Sequence, residues 1–161
     1  MKIGKSARYA LYAMQEMAIA GDAAVTVASV ARRYGIPQTA LAKVVQQLVR
    51  AGLALGTRGV GGGCRLARRA SEVSVLDVIA AFEPLSPVRG CLLSDRGDAG
   101  CPAPESCALR QLFAEADEVL RCTFASVSLA TLARRRRPGV ATSAGRVRLQ
   151  PAGPAVSRGR A

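Results

Sequence analysis

The most restrictive stretch of this chain runs from Thr26 to Leu66. Thr26 is placed to cap a short helix that turns Val27, Val30 and Ala31 inward. Tyr34-Gly35-Ile36-Pro37 then reads as a tight turn, with glycine supplying the permissive backbone. A further helix over about 38–51 buries Leu41, Val44, Val45 and Leu48 and turns Gln38, Thr39, Lys43, Gln47 and Arg50 outward. Two short helices about a glycine turn, the second polar on its outer face, make the helix-turn-helix pattern. After Gly52 the period changes. Leu53-Ala54-Leu55 and Cys64-Arg65-Leu66 are strand candidates on either side of a glycine-rich turn from Thr57 to Gly63. Such a hairpin is predicted to be a wing. Arg58 at its tip is placed to enter a minor groove, and Gly59 and Gly61 allow close approach to phosphates. The alternative for GVGGG is a flexible surface turn. A nucleotide-phosphate loop is disfavoured, because no strand–loop–helix context with Lys-Ser/Thr follows.

The flanking segments are helical. Ser6 is predicted to cap a helix over about 6–20 with Ala7, Ala10, Leu11, Met14 and Ala18 on one face, ended by Gly21. Ser74 and Asp77 make a capping-box-like start to a helix over about 74–83 that buries Val75, Val78, Ile79 and Phe82 and stops at Pro84. Ser106 opens a long amphipathic helix to about residue 125. Leu109, Leu112, Phe113, Ala116, Leu120 and Phe124 line one face of it, and Arg110, Glu115, Asp117 and Arg121 the other. That apolar face needs a partner, either a twin helix from a second subunit or its own domain. A short helix near Ser128–Ala133 follows, and the tail from Arg134 is expected to be disordered. The expected fold is mainly α with a small β-hairpin wing. A winged helix-turn-helix domain occupies 1–84, a cysteine loop and dimerisation helix 85–133, and a basic tail 134–161.

Cys91, Cys101 and Cys107 lie in a polar segment rich in Gly, Pro and Asp between two helix-like runs. Thiolates are soft donors, suited to iron–sulfur clusters, zinc or copper(I). Structural zinc prefers four N/S ligands with short paired spacings such as Cys-x2-Cys, which this chain lacks. A reversible disulfide between two of the three is a further reading. For Cys64 and Cys122, inert burial is expected. No segment approaches a membrane span or a secretion signal, so a cytoplasmic protein with reduced thiols is expected. With no His, no Cys-x2-Cys and no clustered acid–base pair, an enzyme is disfavoured, and no small-molecule substrate is expected.

Charge divides the chain. Residues 1–70 carry eleven Lys/Arg against two acids, residues 71–133 four against nine, and the remainder eight Arg with no acid. A basic head on an acidic body points to a polyanion as partner, to which Arg32 and Arg33 would also contribute.

MKIGKSARYALYAM, then VASVARRYGIPQTALAKVVQQLVRAGLALGTRGVGGGCRLAR, SVLDVIAAFE and the cysteine trio together resemble the IscR, NsrR and RirA family of bacterial regulators, also called the Rrf-two family. The likeness covers roughly residues 1–133. It implies a homodimeric winged-helix transcription factor that binds a double-stranded operator and senses cluster supply, iron, nitric oxide or redox state. It further implies that Cys91, Cys101 and Cys107 ligate a 2Fe-2S or 4Fe-4S cluster, that Gln38, Thr39 and Lys43 face bases, and that Arg58 is the wing arginine. Three features depart from the family pattern. Nine residues separate Cys91 from Cys101, a longer gap than usual. Arg110 and Arg8 stand where some relatives place a His or Asp fourth ligand. Cys64 replaces an aromatic residue in the wing.

Overall fold

The computed structural model describes residues 3–57, 62–83 and 107–136. In these residues the order is α1 (Lys5–Ala20), α2 (Val27–Tyr34), α3 (Gln38–Arg50), β1 (Ala54–Thr57), β2 (Gly63–Leu66), α4 (Val75–Ala80), α5 (Ala108–Ser126) and α6 (Leu129–Arg136). This is the mainly helical fold with a two-stranded wing that the pattern predicts. Arg58, Gly59, Gly61, Pro84, Cys91, Cys101 and Ser106 lie outside the described residues, as does the tail from 137.

α1 begins at Lys5, so Ser6 is not its cap. Gly4 holds that position, and its N–H donates to the carboxylate of Glu83 from across the fold. The buried face is rotated from the expected one: Ala7, Ala10, Ala13, Met14 and Met17 are buried, whereas Leu11 and Ala18 are half-buried. The three alanines let α1 lie close against α3, α4 and α6.

α2 and α3 follow the apolar period. Thr26 Oγ1 accepts from Ser29 N–H at 3.1 Å, the expected cap. Gly35, at φ 64° and ψ 30°, closes α2 in the left-handed region, where a side chain would be strained. Ile36 N–H then reaches back to the Ala31 carbonyl at 2.9 Å, and Ile36 is buried. Leu41, Val44, Val45 and Leu48 are all buried, as predicted, while Val27 is half-buried.

The first strand starts at Ala54 rather than Leu53. Leu53 N–H still bonds the Leu48 carbonyl at 3.0 Å, so it belongs to the exit from α3. β1 pairs antiparallel with β2, Ala54 opposite Leu66 and Thr57 opposite Gly63. Val25 adds a bridge, exchanging two backbone bonds of 2.9 Å with Cys64. A Cβ at Gly63 would lie 2.8 Å from the Val25 carbonyl oxygen, so this glycine serves the wing's own backbone packing rather than a phosphate.

α4 has the expected capping box between Ser74 and Asp77 but ends at Ala80, short of residue 83. Phe82 and Glu83 N–H both return to the Ile79 carbonyl at 3.0 Å, folding the chain into a tight turn, and Phe82 stays half-buried. Residues Val127–Leu129 run beside Val73–Val75, with Val75 N–H to Val127 O and Leu129 N–H to Val73 O both at 2.9 Å. Leu129 is thereby fully buried with Met14, Met17, Leu41, Leu48, Val73, Val78 and Ile79. Each such side chain contributes about 1.5–3 kcal/mol by leaving water. α6 runs past Ala133, so Arg134–Arg136 are helical and not part of a tail. No described helix is long and apolar enough to cross a membrane.

Candidate nucleic-acid interface and cysteine site

The outer face of α3 is built as the spacing predicts. Gln38, Thr39, Lys43, Gln47 and Arg50 are exposed, and Pro37 at the N-cap offers no side-chain acceptor to the first N–H groups. An open helix start with Lys43 one turn on presents fixed donors and a cation, the arrangement that phosphates and base edges require. Gln47 is exposed yet engaged: its Nε2 donates to the Ala81 carbonyl at 2.6 Å.

α2 is fastened to α1 by a carboxylate that the sequence does not advertise. Glu16 of α1 is only 8% exposed. Tyr34 Oη donates to its Oε1 at 2.6 Å and Arg33 to its Oε2 at 3.2 Å. The Tyr34 ring lies against Tyr12, centroids 4.4 Å apart. Arg33 therefore divides its role between this ion pair and an exposed surface, and Arg32 is exposed. In sequence, Glu16 shows only as a break in an apolar run.

The wing carries cations that motif reading passed over. Arg65 on β2, with Arg68 and Arg69 beyond it, is exposed along an open cavity of about 440 Å³ that Asp22 and Glu72 also border. The ARR triplet was the available signal.

The three described cysteines separate by environment. Cys64 is buried, its thiol donating to the Val25 carbonyl at 3.1 Å, and burial pushes its pKa up. Inert burial is thus correct for Cys64. It is wrong for Cys122, which is exposed because it lies on the solvent side of α5, and whose thiol is pushed up chiefly by its hydrogen bond to Glu118. Cys107 is half-buried at the N-cap of α5, where the chain returns from the segment holding Cys91 and Cys101. Among the described residues, no group of three potential metal ligands is gathered. The chemistry of the donor set nevertheless suits a soft metal: it is three thiols, and the described one, Cys107, is half-buried at the N-cap of α5.

α5 has no buried residue. Leu109, Leu112, Phe113 and Leu120 are 60%, 57%, 47% and 37% exposed, and Val119 is 65% exposed. Ala116 is also exposed and Phe124 is half-buried. The helix instead turns Arg110, Asp117 and Arg121 to its half-buried side, toward its own subunit. Among the described residues, Leu109, Leu112, Phe113, Ala116 and Leu120 of its apolar face therefore stay exposed.

A glycine-turned helix pair, a polar third helix and a hairpin wing define a winged helix-turn-helix protein. More particularly, the chain belongs to the Rrf2 family, whose description is iron-dependent transcriptional regulator and whose pattern matches residues 3–135. It is 37% identical over 132 residues to BadM of Rhodopseudomonas palustris, named as an HTH-type transcriptional regulator, covering 82% of this chain and 81% of that one. The fold is similar to that of CymR, the global cysteine regulator of B. subtilis (TM-score 0.70, 26% identity, 84% of this chain and 98% of that one). It is also similar to that of T. potens IscR (TM-score 0.66, 22% identity, 84% and 88%). This is a family of regulators and not of enzymes.

Proposed function

We propose that the chain is a homodimeric, sequence-specific repressor whose grip on a double-stranded operator is set by an iron–sulfur cluster held by Cys91, Cys101 and Cys107. The observation that carries the reading is the pairing of an outward polar face on α3 with an accessible Cys107 at the head of α5, in a chain of an iron-dependent regulator family. Gln38, Thr39 and Lys43 meet base edges. Arg32, Arg33 and the wing residues Arg58, Gly59 and Gly61 contact phosphate or the minor groove, and Arg65, Arg68 and Arg69 extend that basic edge. The stripe from Leu109 to Phe124 pairs two subunits so that two copies of α3 meet the half-sites of a two-fold operator. The cluster, when bound, supplies a chemistry that responds to iron, nitric oxide or oxidant. A coupling of about 1–3 kcal/mol to DNA binding corresponds to about 5–150-fold in affinity.

The likeness to the cysteine regulator CymR favours one second reading, a reversible thiol switch in the same trio without a metal. Anaerobic purification with iron and sulfide analysis separates the two, followed by gel-shift on DNA selected from a random duplex library. A brown protein with stoichiometric iron, whose operator affinity changes on exposure to nitric oxide, supports the cluster. A colourless protein that takes up no iron on reconstitution, yet changes affinity with oxidant, supports the thiol switch.

A further inference from the structure

α4 ends in a turn held by two elements at once. The Ala81 carbonyl, one of the helix-end carbonyls that no intrahelical donor satisfies, accepts from Gln47 of α3 at 2.6 Å. Two residues on, the Glu83 carboxylate accepts from the N–H of Gly4 at the start of α1, where a negative charge also suits the helix dipole. The backbone between them is tightened by the bonds from Phe82 and Glu83 to Ile79. Gln47 lies nine residues beyond the start of α3, on the outward side with Lys43, and would ordinarily be taken for a base reader.

We infer that Gln47 is a positioning residue for DNA binding rather than a reader of bases, and that it acts with Glu83 through the last turn of α4 to hold the recognition helix against the body of the domain. The inference rests on the reading of α3 as the recognition helix. A side-chain amide spent on a backbone carbonyl at 2.6 Å can donate to a base only by giving up that bond. Glu83 fixes the other end of the same turn to α1, so the loss of either bond loosens one shared support. Helix placement within a fraction of an ångström decides whether several base contacts form together, so the effect is a uniform loss of affinity and not a change of preference.

The test uses the full chain and a duplex selected by the wild type from a random library. Anisotropy titrations are run on that duplex and on its single base-pair variants, with the active fraction fixed by stoichiometric titration. Gln47→Met, which keeps length without a donor, weakens binding about 3–10-fold on every duplex alike, the equilibrium weight of one neutral hydrogen bond. Glu83→Ala weakens it in the same sense. The double variant is no worse than the weaker-binding single by more than about twofold, because both act through one turn. Glu83→Gln restores binding, since its amide oxygen still accepts from Gly4. If Gln47→Met lowers the active fraction, Glu83→Ala and its glutamine rescue decide the question. A changed preference at any one base pair, wild-type affinity, or fully multiplicative losses in the double variant overturns the inference. Lys43→Ala separates the two levels. If it weakens binding while Gln47→Met and Glu83→Ala do not, the positioning role alone falls; if it too is silent, α3 is not the recognition helix and both readings fall.

Discussion

Leu112 offers the sharpest test of how α5 is used. It is 57% exposed on a helix with no buried residue. Truncation to alanine removes three carbons, worth about 2.4 kcal/mol in all if fully covered, at about 0.8 kcal/mol each. Only the exposed share is available to a partner, which leaves about 1.4 kcal/mol per copy and about 2.7 kcal/mol for a two-fold pair. The dimer dissociation constant of Leu112→Ala should therefore rise about 100-fold. The folded monomer should lose at most about 1 kcal/mol, the covered share of the same 2.4 kcal/mol, partly offset because alanine is at least as good a helix former as leucine. Sedimentation equilibrium over a range of concentrations measures the first quantity. Thermal melting at a dilution where both proteins are monomeric measures the second. An unchanged dissociation constant would show that the stripe is not the subunit interface. A monomer destabilised by about 2 kcal/mol would show that Leu112 packs within its own subunit.

Three further outcomes follow from the environments described. Tyr34→Phe strips the 2.6 Å hydrogen bond from the buried Glu16 carboxylate and should lower stability to urea by about 1–2 kcal/mol; an unchanged midpoint would mean that the carboxylate is held without the Tyr34 hydroxyl. Cys64 in the unfolded chain ionises near its ordinary value of 9.0, while burial keeps the folded thiol protonated to higher pH. The folded state then binds more protons in that window, so stability falls as pH rises above about 9, more steeply for the wild type than for Cys64→Ala; parallel pH profiles of the urea midpoint would refute this. Cys107→Ser should abolish iron retention after anaerobic reconstitution, whereas Cys122→Ser and Cys64→Ala should retain it. Iron loss in Cys122→Ser would move the ligand set onto the solvent side of α5.

What could be read from sequence was whatever is encoded within one or two turns. The caps at Thr26 and Ser74, the left-handed close at Gly35 and the buried stripe of α3 each depend on neighbours three or four residues away, and each is where the period puts it. The misses depend on distant partners. Ser6 is an acceptable local cap, but the N–H of Gly4 is satisfied by Glu83, which no local pattern announces. α4 stops early where the carbonyl of its C-cap, Ala81, is taken by Gln47 and its exit is drawn toward α1. The face of α1 was misjudged because Leu11 outweighs Ala13 in any hydrophobic tally, whereas close helix approach selects the alanine. Cys122 was expected inside because free cysteine usually is. α5 instead turns Arg110, Asp117, Arg121 and Phe124 to its half-buried side and leaves Cys122 in solvent. In the candidate site, the exposed face of α3 was legible, while the engagement of Gln47 and the Glu16 anchor were not.

On the proposed function, pairing and base reading fall to separate elements with a narrow route between them. α5 carries the uncovered apolar stripe and α3 the outward polar face, and α4 packs against both α5 and α1. The start of α4 is fixed by its capping box and by the backbone bonds from Val73–Val75 to Val127–Leu129, which tie it to the C-terminal end of α5. Its end is fixed by Gln47 and by the Glu83–Gly4 bond. A six-residue helix held at both ends moves as a unit, because bending it would cost hydrogen bonds that its length cannot replace. In the proposed dimer, a shift of α5 relative to its partner would thus be delivered to α3 as a small displacement of one short element held at both ends. Such a displacement needs no unfolding to change several base contacts together.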